Sequence, residues 1–143
     1  MITHSPAAII ADFLIAEGVF TDPSADSSWP LFIAHEPNSP DECGTIYTTT
    51  GVDDGRLMTG VNILHHGIQI RVRGDDYDAA WLQLQDALDS LEGLNNESVV
   101  IDSSTYTVFN TSQTGPAIPL GVEPGTRRRF LFTANLLVSL REE

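Results

Sequence analysis

The sequence predicts an α+β domain with a mostly antiparallel (mixed) sheet of about five to six strands and two main helices packed on one face. Strand patterns outnumber helix patterns, and their order is helix, two or three strands, helix, three strands, which is typical of this fold class. Residues 68–73 alternate apolar and polar side chains, and after Gly74 the apolar period becomes that of a helix. The 143 residues suffice for one core and show no internal boundary, so we expect one domain spanning 1–143.

The chain is expected to begin with a helix followed by two short strands. Ser5 is placed to cap the helix, and Pro6 takes the first helical position, where a missing amide costs nothing. Apolar residues follow at helical spacing, and Gly18 is the expected stop. This stripe consists of Ile9, Ile10, Phe13 and Leu14. Residues 31–35 and 45–50 are rich in β-branched and aromatic side chains between turn residues, which predicts strands.

A long central strand and the second helix have the clearest patterns. The strand runs over 62–73, and Gly67 inside it indicates a bulge or bend. The helix runs from about Asp76 to Glu92 and stops at Gly93, with carboxylates in its first turn, where the helix dipole favours negative charge. Its expected core stripe is Trp81, Leu84, Leu88 and Leu91.

The C-terminal part predicts three further strands. Residues 98–102 and 105–112 are expected to form a hairpin with a tight turn near Ser103 and Ser104. The last strand, 128–140, is long and mostly apolar, which suits either a central position in the sheet or a strand that extends beyond the body of the domain.

Two long loops are candidate contact regions. One covers 52–60, with Asp53 and Asp54 at its tip, and the other covers 115–125 and contains three prolines. Long loops on a small domain often contact other molecules. Trp29 lies in a polar loop, where a large aromatic side chain either tucks over the core edge or waits for a partner. Both readings of Trp29 stay open, and it is an interface candidate.

The charge distribution favours contacts between proteins over binding to nucleic acid. The chain has 20 acidic and seven basic residues, a net charge of −13, and no lysine. Such a charge argues against nonspecific binding to a nucleic-acid exterior, because phosphate contacts need a cationic surface. Concentrated arginines on an acidic protein could steer copies of the chain into register; ordinary solubility and codon usage are the alternative. The arginines are Arg56, Arg71, Arg73, Arg127, Arg128, Arg129 and Arg141.

No motif points to catalysis, a cofactor or a metal, so we expect a protein that is not an enzyme. No glycine-rich phosphate loop or nucleophile elbow is present, and Cys43 stands alone. A metal site would need His35 to converge with His65 or His66 and a carboxylate, and neighbouring strand residues point to opposite faces. A small metal-binding or hydrolytic enzyme is therefore the least favoured class. We also expect no membrane span and no export signal.

The assembled pattern resembles the small tail-terminator proteins of tailed bacterial or archaeal viruses, whose relatives are often labelled minor capsid or tail-completion proteins. Three features carry the resemblance: the N-terminal helix 7–17 with the loop and strand after it; residues 68–80, which join a strand, an Arg-Gly turn and a Tyr-x-x-Ala helix start; and the C-terminal set. That set comprises Gln113, Pro119, Leu120, Gly121, Gly125, Arg127, Arg128, Arg129, Phe130 and Asn135.

The resemblance implies a tail-terminator-like fold and a structural role in the virion. It implies a homohexameric ring at the head-proximal end of the tail tube that ends tube polymerisation and joins the tail to the head connector. A head-completion or neck protein on the connector side is the alternative. The implied partners are copies of the chain, the tail tube protein and connector or neck proteins. DNA would only pass through the lumen, no membrane would be involved, and assembly would take place in the host cytoplasm.

The candidate sites are accordingly subunit or partner contacts. We expect at least one arginine pair to bridge to carboxylates of a neighbouring subunit. The interface candidates are Arg71, Arg73, Arg127, Arg129, Trp29, Asp53 and Asp54.

Overall fold

The computed structural model describes residues 3–25, 27–56, 62–122 and 128–142 and, for residues 52–56 and 62–64, the backbone alone. The helices are α1 (Pro6–Ala16) and α2 (Tyr77–Glu92), and a short 3-10 helix covers Pro23–Ala25. The strands are β1 (Leu31–Ile33), β2 (Cys43–Arg56), β3 (Asn62–Gly74), β4 (Glu97–Ile101), β5 (Ser104–Gln113), β6 (Ile118–Val122) and β7 (Phe130–Glu142). No helix among the described residues is long and apolar enough to span a membrane.

The strands form one mixed sheet in the order β1-β2-β3-β7-β5-β4, with β6 paired to β7 alongside β5. Among the described strands, only β1 and β2 run parallel to each other, so the predicted α+β class with a mostly antiparallel sheet is confirmed. The last strand is central, which is one of the two arrangements that its length suggested, because β7 pairs with β3 on one side and with β5 and β6 on the other.

The sheet curls, and α1 contacts both of its outer strands, β1 and β4. The second helix packs against β3, β7 and β5. Residues of both helices and of the central strands form one continuous apolar core. That both helices lie on a single face of the sheet stays a prediction.

The helix ends follow the local sequence signals. The hydroxyl of Ser5 accepts a hydrogen bond from the Ala8 amide at 3.2 Å, and Pro6 takes the first helical position. Gly18 follows α1 with a φ of 79°, and Gly93 caps α2. Asp76 is the N-cap of α2 but makes no side-chain capping hydrogen bond, so any effect of its carboxylate on the helix is through the helix dipole.

The apolar stripe of α1 is buried as predicted, whereas Trp81 is 39% exposed. The buried stripe of α2 begins instead at Ala80. Ala80 and Trp29 both lie next to Gly74, so the small alanine occupies the narrow space between helix and sheet. The Trp81 ring is left at the rim, edge-to-face with Phe132 at 5.5 Å between centroids.

The strand β2 extends well beyond the predicted 45–50 and includes Asp53 and Asp54, which are therefore not at a loop tip. The long strand β3 supplies the reason, because it offers backbone partners, pairing Leu64 with Asp53 and continuing as far as Arg56. The rest of the predicted loop, 57–60, lies outside the described residues.

The bulge predicted at Gly67 is confirmed, and its extra residue lies on the partner strand. The β2–β3 register shifts between Thr49 and Val52, directly beside the pairing of Thr49 with Gly67. Three steps along β2 match two along β3, so the glycine marks the place where β2 bulges over β3.

A second difference is β6, which forms within the segment predicted as a proline-containing loop. Pro119 lies in this strand opposite Phe132. A proline is tolerated there because β6 is an edge strand, where one row of backbone groups has no sheet partner. With this strand, the described residues form seven strands, one more than the upper end of the predicted five to six.

The β4–β5 hairpin turns at Asp102 and Ser103, one residue earlier than predicted, with Ile101 paired to Ser104. The left-handed φ of 54° at Asp102 matches the backbone that such a two-residue turn requires.

Candidate functional site

Three of the predicted interface arginines converge on one segment of the same chain. Arg71 and Arg73 project from the same face of β3, and Arg129 immediately precedes β7, whose first residue pairs with Gly74. Residues 36–41 cross this face of the sheet and contact all three guanidinium groups. We call Arg71, Arg73, Arg129, Glu36 and Asp41 the arginine cluster.

Arg73 is the centre of the cluster. Its side chain is 2% exposed, and its Nη1 lies 3.5 Å from Oε1 of Glu36. Its Nη2 donates to the carbonyl oxygen of Pro40 at 2.6 Å, and its Nε donates to that of Asp41 at 3.2 Å. Arg71 shares the same carboxylate, with its Nε 3.2 Å from Oε2 of Glu36, and is about a third exposed.

Arg129 fixes the other side of the segment. Its side chain is 6% exposed, and Nη1 donates to the carbonyl oxygen of Asn38 at 2.7 Å. Nη2 donates to Oδ1 of Asn38 at 3.2 Å, and Nη1 lies 3.5 Å from Oδ1 of Asp41. Arg129 thus binds both the backbone and the side chains of residues 36–41.

The arrangement works as a clamp between the sheet and residues 36–41. Buried guanidinium groups need paired charges and hydrogen-bond acceptors, and here the segment supplies both. Sequence reasoning assigned Arg73 and Arg129 to a subunit interface and did not identify Glu36, Asn38 and Asp41 as their partners. The sequence shows two acids, Glu36 and Asp41, in a stretch that is rich in turn-forming residues. It does not indicate which strands this stretch would cross.

The other predicted interface residues lie apart from the cluster. Trp29 has a left-handed φ of 55°, is partly buried and packs against the core, which is the tucked arrangement. Asp53 and Asp54 lie in β2, and their side chains are outside the described part of the structure. Arg127 lies outside the described residues. The interface assignment of all these residues stays a prediction.

Glu42 is an acidic residue that directly follows the clamped segment 36–41. Burial, followed by the nearby carboxylates of Asp75, Asp76 and Asp41, raises the pKa of Glu42. The folded chain therefore holds the Glu42 proton more tightly than the unfolded chain does. The ionised form of Glu42 opposes folding, increasingly so as the pH rises through the folded pKa.

Glu42→Gln is expected to raise the melting temperature at about pH 7 and to leave it unchanged at about pH 3, where the carboxyl is protonated in both states. The glutamine removes the burial and repulsion of a charge while keeping the shape of the side chain. Thermal unfolding at both pH values checks this. Glu97→Gln, on the exposed start of β4, is the matched control, and an equal gain there would contradict the local explanation.

In the part of the chain that the structure describes, the histidines do not assemble with acids into a metal-binding group. Within the described ranges, no three His, Cys, Asp or Glu side chains are placed to hold a metal ion. His65 is 2.6 Å from the hydroxyl of Ser139 through Nδ1, and burial, then His65, lowers the pKa of His66. His4 Nδ1 lies 2.5 Å from the buried hydroxyl of Tyr106, which ties the chain start to β5.

Two apolar surfaces form a second candidate, which sequence reasoning missed. The edge strand β6 exposes Ile118, Leu120 and Val122, each to nearly half. A groove of 320 Å³ lies between α1 and β1, and we call it the α1–β1 groove. It is lined mainly by Ala8, Ala11, Ile15, Leu31, Ile33 and Ile101. Exposed apolar strands and grooves on a small acidic protein are characteristic of protein contact surfaces.

Comparison with known proteins agrees with a structural role. A family model described as bacteriophage tail terminator protein matches residues 13–128, which extend from α1 to the residue before Arg129 of the arginine cluster. No curated protein gives a significant match to the chain.

Proposed function

The chain belongs to the bacteriophage tail terminator family, and we propose that it forms a homohexameric ring at the head-proximal end of the tail tube. There it would end tube polymerisation and join the tail to the head connector. The observation that carries this proposal is the family match over residues 13–128, which is most of the chain. In this role the protein is a structural component of the virion tail and needs neither a catalytic group nor a cofactor.

The described surface suits a ring protein in two ways. The exposed apolar strand β6 and the α1–β1 groove are separate surfaces, and a ring needs two different contact patches on each subunit. The clamp over residues 36–41 and the packing of both helices, which we propose to lie on one face of the curled sheet, would keep those patches rigid.

The charge suits passage of DNA through such a ring. The chain carries a net charge of −13, and α2 contains no basic residue while exposing four acids. These are Asp78, Asp86, Asp89 and Glu92. An acidic lumen would repel phosphates and let DNA slide without specific binding.

The proposed partners are further copies of the chain, the tail tube protein and the connector or neck proteins, with assembly in the host cytoplasm and no membrane. Arg71, Arg127, Asp53 and Asp54 are proposed to contribute to these contacts. Arg73 and Arg129 would contribute through the segment that they hold, since their own guanidinium groups are buried.

Electron microscopy of the purified protein with purified tail tubes tests the function. We expect a six-fold ring at one end of each tube and tubes that no longer elongate when tube protein is added. Tubes without the protein are the control and should continue to elongate. Binding to the connector side alone would assign the head-completion role instead, and binding to neither would contradict both.

A further inference from the structure

We propose that strand β6 of one copy inserts into the α1–β1 groove of the next copy, with Arg128 facing Asp12 and Asp22. The inference rests on the proposed ring and names the two surfaces that would build it. Each subunit would contribute a strand on one side and a groove on the other.

The strand β6 is apolar on both of its faces. Its register pairs Ile118 with Thr133 and Val122 with Phe130, and a shift between Pro119 and Gly121 separates the two pairs. Paired residues share a face, and Thr133 and Phe130 point to opposite faces of β7. Ile118 and Val122 therefore point to opposite faces of the sheet, and each is nearly half exposed. A strand that is apolar on both sides is better covered by a groove than by a flat surface.

The outer edge of β6 has no strand partner among the described residues. The sheet pairs β6 with β7 alone, so a row of backbone amides and carbonyls faces outward. An exposed apolar edge of this kind readily binds another chain, and small proteins normally protect such edges unless they are used.

The α1–β1 groove offers a complementary shape and chemistry. It lies between α1 and β1, and Ile101 of β4 closes its far side because the sheet curls round α1. Ile33 on β1 is 46% exposed beside it. Its floor is formed by small and aliphatic side chains, which can accept Ile118, Leu120 and Val122.

Charge complementarity selects a second copy of the chain as the occupant. Asp12 and Asp22 are the acidic members of the groove lining, and both are exposed. Hydrogen bonds from the backbone and side chain of Ser24 lower the pKa of Asp22, so this rim stays negative. Arg128 is exposed two residues before Phe130, beside the end of β6 where Val122 pairs. A β6 strand entering the groove would therefore bring a cation to an acidic rim.

The two surfaces share no residue, so one copy can use both at once. A contact between different patches is heterologous, and repetition of it closes into a ring or extends into a filament. A chain with a net charge of −13 repels its own copies, which makes a local cation–carboxylate contact and apolar burial the available attractive forces.

Cysteine cross-linking tests the contact directly. A chain carrying both Leu120→Cys and Ile33→Cys should give, under mild oxidation at high concentration or on tail tubes, a ladder of disulfide-linked multimers. Each single variant should give dimers at most, since it has one new thiol and Cys43 is buried. The matched control pairs Ile33→Cys with Leu82→Cys, because Leu82 is 60% exposed on α2 and belongs to neither surface. An absent ladder, or an equal one from the control pair, would overturn the inference.

Complementation supplies a second readout that does not depend on thiols. Leu120→Asp and Ile33→Asp should each abolish multimers while keeping the wild-type melting temperature, because both side chains are nearly half exposed. An equimolar mixture should stop at a one-to-one heterodimer, since each partner retains one intact surface. Charge reversal at Arg128→Asp should weaken assembly at least about tenfold, and Asp12→Arg in the same chain should restore part of it.

Failure of this contact can be told from failure of the proposed function. If Leu120→Asp still caps tubes and assembles like the wild type, the interface is wrong and the terminator role stands. If the wild type gives the ladder but never binds tubes, the interface stands and the role fails.

Discussion

Replacing Arg73 by methionine is expected to lower the free energy of unfolding by about 3–5 kcal/mol, the range for breaking a buried ion pair from one side. The methionine fills much of the same space but donates no hydrogen bond. The carboxylate of Glu36, which Arg71 also contacts, and two backbone carbonyls would lose the guanidinium group of Arg73 as a partner. Water cannot readily replace it, because the side chain is 2% exposed. Segment 36–41 should detach from the sheet first.

Urea unfolding measures this loss, and hydrogen exchange over residues 34–42 localises it. Arg71→Met is the matched control, because Arg71 lies on the same face of β3 and contacts the same carboxylate of Glu36. Its free energy of unfolding should fall by only about 0–1 kcal/mol, because Arg71 is about a third exposed. Adding Glu36→Gln to Arg73→Met should recover part of the loss, since the uncompensated charge is then removed. Equal losses for Arg73→Met and Arg71→Met would show that the clamp does not depend on burial.

Gly67→Ala is expected to lower the free energy of unfolding by about 1–3 kcal/mol, as overpacking does in a filled interior. A Cβ on Gly67 would lie 2.5 Å from the carbonyl oxygen of Thr50 and 2.9 Å from its carbonyl carbon. These atoms belong to the backbone of the bulged strand β2, and β3 is held between β2 and β7. Neither strand can move away without loss of ladder hydrogen bonds.

Gly115→Ala is the matched control, because a Cβ there has no atom within 4 Å and the residue has no left-handed φ. It should change stability by no more than about 0.5 kcal/mol. Thermal and urea unfolding of both variants give the comparison. A stable Gly67→Ala would mean that the bulge relaxes, and its melting temperature would then match that of the control.

The correct sequence predictions concern elements whose signals are local. Ser5 and Pro6 start α1, and Gly93 ends α2, because caps depend on a few neighbouring residues. The period change at Gly74 located the junction of β3 and α2. The long apolar run after Arg129 was compatible with the central position that β7 takes, since a strand covered by packed elements carries mostly apolar residues.

The errors concern partners that the chain brings from a distance. The strand β2 extends to Arg56 because β3 is there to pair with it, and β6 forms because β7 is longer than β5. Ala80 takes the buried position of α2 and lies with Trp29 beside Gly74, whereas Trp81 is partly exposed. No local sequence pattern indicates which distant residues will lie beside each other.

The arginines show the same division. The sequence by itself determined that the protein is acidic, that its cations are few and grouped, that it forms an α+β domain and that it resembles tail terminators. Only the tertiary structure decided that Arg73 and Arg129 hold residues 36–41 of their own chain and that β6 and the α1–β1 groove are exposed apolar surfaces. Periodicity and capping depend on neighbours within one or two turns, whereas burial of a charge and exposure of an edge depend on which distant strands lie beside them.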